Sequence, residues 1–433
     1  PAGFAQQNKP NVLFFITEQT ELSQFMQAIA QSEEKEEIVA QGFQQEAEML
    51  LFLYFGNLYK NMSEFVIRDL GNSRYEDFED ADFTPYFQTR KDVDDKFRMA
   101  KIHYQFRVLS EIAEPQAIFS TFIDWLPVRE TLSHLAFSQY DKLVLGLGAW
   151  LEKQKCGQEA LQIYEFTEKP PSRERQVRLW HKLGETDKAL DVCHLIKRAH
   201  QNADEKYFAI DFKNKLEKKR IKSTTAYLKN APAIEISIQH QPQIEEGVLQ
   251  YYQALGHQGF HSENAIWRGF FGVFFWDIIF QSEAESVHNP FQRVPSDIYL
   301  PDFYLKREAY FLERVTLLDK PAEARLLITT NIEKKFGIFN PLTDWHIGLQ
   351  EGILAFLDKL SPEQNKLILL KIAQNMREHT RGLPDLFIYD DDSYQFIEVK
   401  SPTDSLSAQQ LDWLEFFREI GVNATALKVS WSD

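Results

Sequence analysis

Residues 265–280, AIWRGFFGVFFWDIIF, constrain this chain more than any other segment, because so many large apolar and aromatic side chains must leave water for a membrane or for a protein core. Arg268 and Asp277 interrupt the run, and what lies between them falls far short of the roughly 18 apolar residues of a membrane span. A core is the expected destination, and no membrane partner is expected. The chain has 433 residues, room for two or three domains at about 150 residues each. Its 44% hydrophobic and 26% charged residues exclude a disordered chain, a collagen-like repeat and a disulfide scaffold.

Cys156 and Cys193 sit in neither a C-x-x-C nor a Cys/His spacing, so a reducing interior is expected and structural zinc is not. No basic stretch leading into an apolar run opens the chain, which argues against a secretory signal, and Pro at position 1 points to a trimmed or processed start. The net charge of −16 argues against non-specific polyanion binding. Local charge differs from the total. Residues 206–222 carry Lys206, Lys213, Lys215, Lys218, Lys219, Arg220 and Lys222, read as the solvated face of a helix. Between 90 and 107, Arg90, Lys91, Lys96, Arg98, Lys101 and Arg107 alternate with Phe97, Tyr104 and Phe106. Stacking aromatics among cations suit a nucleic-acid surface, and an amphipathic helix burying its aromatics accounts for the same letters.

The pattern divides into three expected domains: 1–110, with an apolar helical stretch at 43–55; 111–240, helical; and 241–433, beginning helical and ending α/β. In the middle, Gly157 with Ala160 and Leu161, then Gly184 with Ala189 and Leu190, precede similar helices and suggest a helical repeat. A plain bundle is the alternative. Gly146-Leu147-Gly148 lacks a third glycine for a dinucleotide fingerprint, and its glycines are read as helix-packing or turn residues. Pro232 and Pro242 loosen the pattern before the last domain. Its end reads strand 386–389, polar turn 390–393, strand 394–400, helix 407–420 and strand 424–431.

Asp385 enters the first of these strands, and thirteen residues later Glu398-Val399-Lys400 ends the second. Side chains alternate along a strand, so Glu398 and Lys400 share one face, and a hairpin brings Asp385 beside it. Two carboxylates and an ammonium then converge at a sheet edge. Hard oxygen ligands for Mg²⁺ or Mn²⁺ with a cation beside the attacking water are what a metal-dependent phosphodiesterase needs.

Gly382-Leu383-Pro384-Asp385-Leu386, then residues 398–407 (EVKSPTDSLS), Gln410 and Trp413-Leu414 resemble the VRR-NUC branch of the PD-(D/E)xK nucleases. His261-Ser262-Glu263, Phe270-Phe271-Gly272, residues 275–280 and Asn289-Pro290-Phe291-Gln292 resemble the Fanconi-associated nuclease family more narrowly, as does Arg68-Asp69-Leu70-Gly71 with Arg74-Tyr75. The resemblance implies a mainly α, multidomain fold: an SAP-like DNA-binding region at 1–110, a tetratricopeptide-like middle at 111–240 and a VRR-NUC α/β nuclease core at 241–433. It implies a structure-selective endonuclease, with exonuclease action, cutting 5′ flaps and branched DNA in interstrand crosslink repair. Zinc-finger cysteines are absent from the start of this sequence, which points to a bacterial-type member, cytoplasmic at the nucleoid; a eukaryotic one would be nuclear.

On that resemblance Asp385 and Glu398 hold the metal with the Val399 carbonyl, Lys400 polarises the water or offsets charge on the phosphate, and Gln410 orients a ligand. Glu263, by spacing alone a helix-start acid favoured by the helix dipole, becomes a third metal carboxylate. His261 is read as a turn or core histidine. Arg68, Arg74, Arg90, Lys101 and Arg107 are the expected phosphate contacts, and the helical middle could receive protein partners. Two alternatives remain open, a four-way-junction resolvase and a DNA-binding scaffold with a vestigial site.

Overall fold

The computed structural model describes residues 44–56, 74–78, 83–217, 221–289 and 292–432. The chain divides into two compact units, 1–51 and 52–433. The described part of the first is the opening of helix α1 (Gln44–Phe55), which ends in the second. Arg68 lies outside the described residues.

Helix α2 (Arg90–Ile112) is started by a capping box: Asp92 N–H donates to the Thr89 hydroxyl, and the Asp92 carboxylate accepts the Thr89 N–H. It runs without a break across residue 110 and buries Met99, Ile102 and Phe106 against α3 (Pro115–Trp125), α4 (His134–Lys153) and α5 (Gly157–Tyr164). Gly148 is a packing glycine, since a Cβ there would stand 2.6 Å from the Tyr164 ring. Helices α6 (Ser172–Lys182), α7 (Thr186–Arg198) and α8 (Ala203–Leu216) continue the helical array around Val177, Ala189, Cys193, Ile196 and Phe212. Ala160 and Ala189, the paired repeat positions, are both fully buried. Cys156 and Cys193 are free thiols.

After α9 (Ser223–Lys229) comes a five-stranded sheet built from β1 (Ala233–Ser237), β2 (Gln258–His261), β3 (Leu386–Tyr389), β4 (Tyr394–Lys400) and β5 (Ala424–Ser432), in the order β1-β5-β4-β3-β2. The β3–β4 hairpin and the β2–β3 pair are antiparallel, and β5 joins β4 and β1 in parallel. The hairpin is therefore interior to the sheet rather than at its edge, because β2 covers β3; the functional carboxylates lie at strand ends instead. Since β1 begins at 233, the sheet takes in residues ahead of 241.

One face, with Ile236, Leu386, Ile388, Ile397, Val399, Leu427 and Val429, is covered by α10 (Ile244–Ala254) through Val248 and Leu249. The other face receives the apolar run, which forms α11 (Glu263–Phe274) and a short turn at Trp276–Ile279. Trp267 stacks on Phe356 at 4.4 Å, and Phe387, Phe396 and Phe417 complete this aromatic layer. Helices α12 (Asp302–Val315), α13 (Pro321–Lys335), α14 (Leu349–Lys359), α15 (Pro362–Gln374) and α16 (Ala408–Glu419) close around it. Each large apolar side chain buried here contributes about 1.5–3 kcal/mol. The glycines in the run permit close approach: a Cβ on Gly269 would stand 2.4 Å from Leu349 Cδ1, and one on Gly272 would stand 2.3 Å from Thr343 Oγ1. Among the described residues no helix is long and apolar enough to cross a membrane.

Candidate active site

The β3–β4 ladder ends at the pair Leu386 and Ile397. Beyond it, Asp385 replaces main chain with side chain: its Oδ2 accepts the Val399 N–H at 2.7 Å. The hairpin turn that sets this register is tied by Asp390, whose Oδ1 accepts the N–H groups of Asp392 and Ser393. Glu398 points to the Phe396 face, beneath α16. Its Oε1 accepts Lys400 Nζ at 2.8 Å and also Gln410 Nε2, and its Oε2 is buried with no partner. Gln410 is held in turn by the α16 capping box, its Oε1 taking the Ser407 N–H at 2.9 Å.

Glu263 opens α11 at the same place. The N–H groups of Ser262 and Glu263 both donate to the Asp385 carbonyl, and Ser262 Oγ donates to the Pro384 carbonyl. Asn264 joins the two segments, donating to Glu263 Oε1 and accepting the Leu383 N–H. The Glu263 side chain is exposed at the rim. Among the described residues no three His, Cys, Asp or Glu side chains stand close enough together to hold one ion. Asp385 and Glu398 form the inner pair, and the expected third carboxylate, Glu263, stands at the rim outside any three-residue cluster.

Burial pushes the Asp385 carboxyl up to about 7; the Val399 N–H and Lys400 oppose this, while Glu245 and Glu263 add to it. Burial likewise drives Glu398 up to about 8, with Asp385 and Glu263 adding to the shift and Lys400 opposing it. A surplus of acid with one orphaned buried oxygen is the donor set that suits a hard divalent cation. Glu245 was not distinguishable in the sequence, because an acid in the first turn of an apolar-periodic helix reads as a dipole partner. His261 is neither a core nor a turn residue: it ends β2, half exposed, 3.6 Å from Glu245 and 3.5 Å from Glu246.

The expected phosphate contacts are dispersed. Arg90 and Lys101 are three turns apart on one face of α2, and Arg107 lies about a third of a turn away. Arg90 pairs with Asp94 at 2.9 Å, and Lys101 lies over the Phe97 ring. Arg74 is exposed, and its carbonyl accepts the Phe339 N–H at 2.7 Å, on the helical layer that covers the sheet. Lys206 departs from the solvated-face expectation, since it pairs with Asp412 and Glu415 of α16.

Residues 319–431 match the VRR-NUC domain. The Fanconi-associated nuclease 1 homolog of Pseudomonas aeruginosa is 26% identical over 390 residues, covering 88% of this chain and 68% of that protein. The chain is similar to a Fanconi-associated nuclease over most of its length and matches the VRR-NUC domain toward its end. The Schizosaccharomyces pombe homolog is 30% identical over 191 residues, and the chain spans 27% of that relative's length. The crystal structure of paFAN1 bound to 2nt 5′flap DNA with gap shares the fold, with a TM-score of 0.78 at 21% identity over 100% of this chain and 82% of that one. A PD-(D/E)xK-type nuclease domain implies dependence on a divalent metal.

Proposed function

We propose that this chain is a structure-selective DNA endonuclease, a metal-dependent phosphodiesterase that cuts 5′ flaps and branched DNA in interstrand crosslink repair. The observation that carries this reading is the convergence of Asp385, Glu398 and Lys400 where β3 and β4 diverge, with Glu398 Oε2 buried and unpartnered.

Asp385, Glu398 and the Val399 carbonyl would hold Mg²⁺ or Mn²⁺, and Glu263, which stands apart from that pair at the rim, would reach the ion by a change of its exposed side chain. When bound, the cation supplies Lewis-acid stabilisation of the phosphate and lowers the pKa of attacking water. The residues do the rest. Asp385 Oδ2, fixed on the Val399 N–H, keeps the strand ends in register. Gln410 and Lys400 hold Glu398 Oε1, which leaves Oε2 for ligation. The Lys400 ammonium positions the water and offsets charge growing on the phosphate oxygens. Arg74, Arg90, Lys101 and Arg107 would supply phosphate contacts from separate places on the surface, with Arg68 joining them, despite the net charge of −16. The divisions 1–110, 111–240 and 241–433 are proposed as DNA-binding, helical-repeat and nuclease parts, the second also open to protein partners; in a bacterium the site of action is the nucleoid.

Labelled flap, splayed-arm, four-way and linear DNAs, incubated with Mg²⁺ or Mn²⁺, test the reading. Flap-selective cleavage by the wild type is expected. Glu263→Gln should cut far more slowly and bind metal more weakly with little change in Tm. Preference for four-way junctions would favour a resolvase, and no cleavage with intact binding would favour a scaffold.

A further inference from the structure

Helix α16 carries two sets of contacts on opposite sides. Toward the sheet it presents Gln410, Trp413 and Phe417, the first on Glu398 and the others in the main core. Toward the helical array it presents Gln409, Asp412 and Glu415, and each meets the first turn of α8. Gln409 Nε2 donates to Asp204 at 2.6 Å, Lys206 Nζ donates to Asp412 at 2.7 Å, and the Tyr207 hydroxyl donates to Glu415 at 2.6 Å. Tyr207 also packs with Leu406, Leu411 and Leu414 in a small core shared by the two helices. The intervening residue of α8, Glu205, faces the other way and is fully buried in a bidentate pair with Arg173 of α6, both contacts 2.7 Å. Four consecutive residues, 204–207, thus tie α6 to α16. Lys371 of α15 holds the other oxygen of Asp412 at 2.8 Å, so one carboxylate joins the helical array to the nuclease core.

From this we infer that Lys206 and Tyr207 are positioning residues for the metal centre: through α16 they set Gln410, and Gln410 sets the Glu398 carboxylate. This rests on the reading of Glu398 as a metal-holding residue. The physical reason is that Gln410 has no slack. Both ends of its amide are engaged, one by the helix cap and one by Glu398, so a shift of α16 by a fraction of an ångström must be taken up by the Glu398 contact. Partners that orient a ligating carboxylate typically change metal affinity 10–100-fold when removed. The helical repeats thereby gain influence over metal occupancy without touching the site.

The test is Mn²⁺ binding to the DNA-free protein, read from the electron paramagnetic resonance signal of the free ion. Lys206→Met with Tyr207→Phe should raise the Mn²⁺ Kd roughly tenfold, with flap affinity unchanged and near-UV circular dichroism retained. Lys206→Arg alone should bind Mn²⁺ as the wild type does. Gln410→Ala should raise the Kd at least as far, and adding the two α8 changes to it should have no further effect. If the α8 pair does not fold, Gln409→Ala, a surface change on the same contact, should move the Kd in the same direction by less. An unchanged Kd in the α8 variants beside a weakened Gln410→Ala overturns the inference and leaves the metal reading standing, as do additive effects in the combined variant. A wild type that binds no Mn²⁺ overturns the metal reading and this inference with it.

Discussion

Two buried ionic groups in this protein are built on opposite principles. Arg307 of α12 is fully buried, yet its guanidinium is saturated: Nη1 and Nη2 grip Asp297, Nη2 also meets Ser286 Oγ, Nε donates to the Ile278 carbonyl, and the plane rests on Phe303. Glu398 is as deeply buried, but one of its oxygens has no partner, and against the single ammonium of Lys400 it feels the charges of Asp385 and Glu263. An ion pair that answers every donor fixes how elements pack. A group left short of partners costs stability and is retained for what it will bind.

The largest difference should appear in activity. Asp385→Ala, Glu398→Gln or Lys400→Ala should each lower cleavage by roughly a thousandfold or more, about 4 kcal/mol of barrier, with flap binding largely kept. Glu398→Gln should melt no lower than the wild type without metal, because burial and Asp385 disfavour the ionised carboxyl that Gln replaces, and an amide oxygen can still accept from Lys400. A Tm several degrees lower with cleavage intact would make the two clusters alike after all.

The converse change is in the saturated cluster. Arg307→Met leaves the buried Asp297 with only the more distant Lys306, at 3.7 Å, and should lower unfolding free energy by about 3 kcal/mol in urea titrations, while the rate per folded molecule stays normal. A loss under about 1 kcal/mol would show that the surrounding hydrogen bonds suffice.

Metal should separate the clusters by a smaller margin. At a hundredfold excess over its Kd, a divalent ion adds about 2.7 kcal/mol of stability, read as a rise in Tm. The rise should persist in Arg307→Met and vanish in Asp385→Ala. Its survival in Asp385→Ala would place the ion elsewhere.

The smallest effect concerns His379, partly buried between the α15 end and Trp413, where it meets the Lys371 carbonyl. Burial lowers its pKa to about 4. The unfolded chain therefore takes up a proton between about pH 6.5 and 4 that the folded one does not, so the contribution is present above that window and lost as pH falls through it. His379→Gln should show a shallower loss of stability over those pH values than the wild type. An identical pH dependence would mean that the ring takes up its proton at the same pH in the folded chain as in the unfolded one.

Much of the hairpin was legible beforehand. Alternation and flanking turn residues marked β3 and β4, and Asp404, Ser405 and Ser407 marked the start of α16, because each of these signals is local. β2 was not legible: QGFH carries no alternation, and it is a strand only because β3 offers an open edge; β1 alternates, but over only the five residues AIEIS after Pro232. The same holds for Lys206, whose place in a basic run says nothing of the carboxylates brought to it by α16. Glu245 lies 140 residues before Asp385 and meets its field only through the packing of α10 on the sheet.

The sequence by itself determined which segments must be buried, where the hairpin turns, and that Asp385, Glu398 and Lys400 share a strand-end face, since period and turn chemistry act over a few residues. Only the tertiary structure decided that α16 would stand between the helical array and Glu398, and that Glu398 would be enclosed with one oxygen unanswered. Burial and long-range electrostatics depend on which distant segments meet, and those meetings follow from the packing of whole elements around one apolar run.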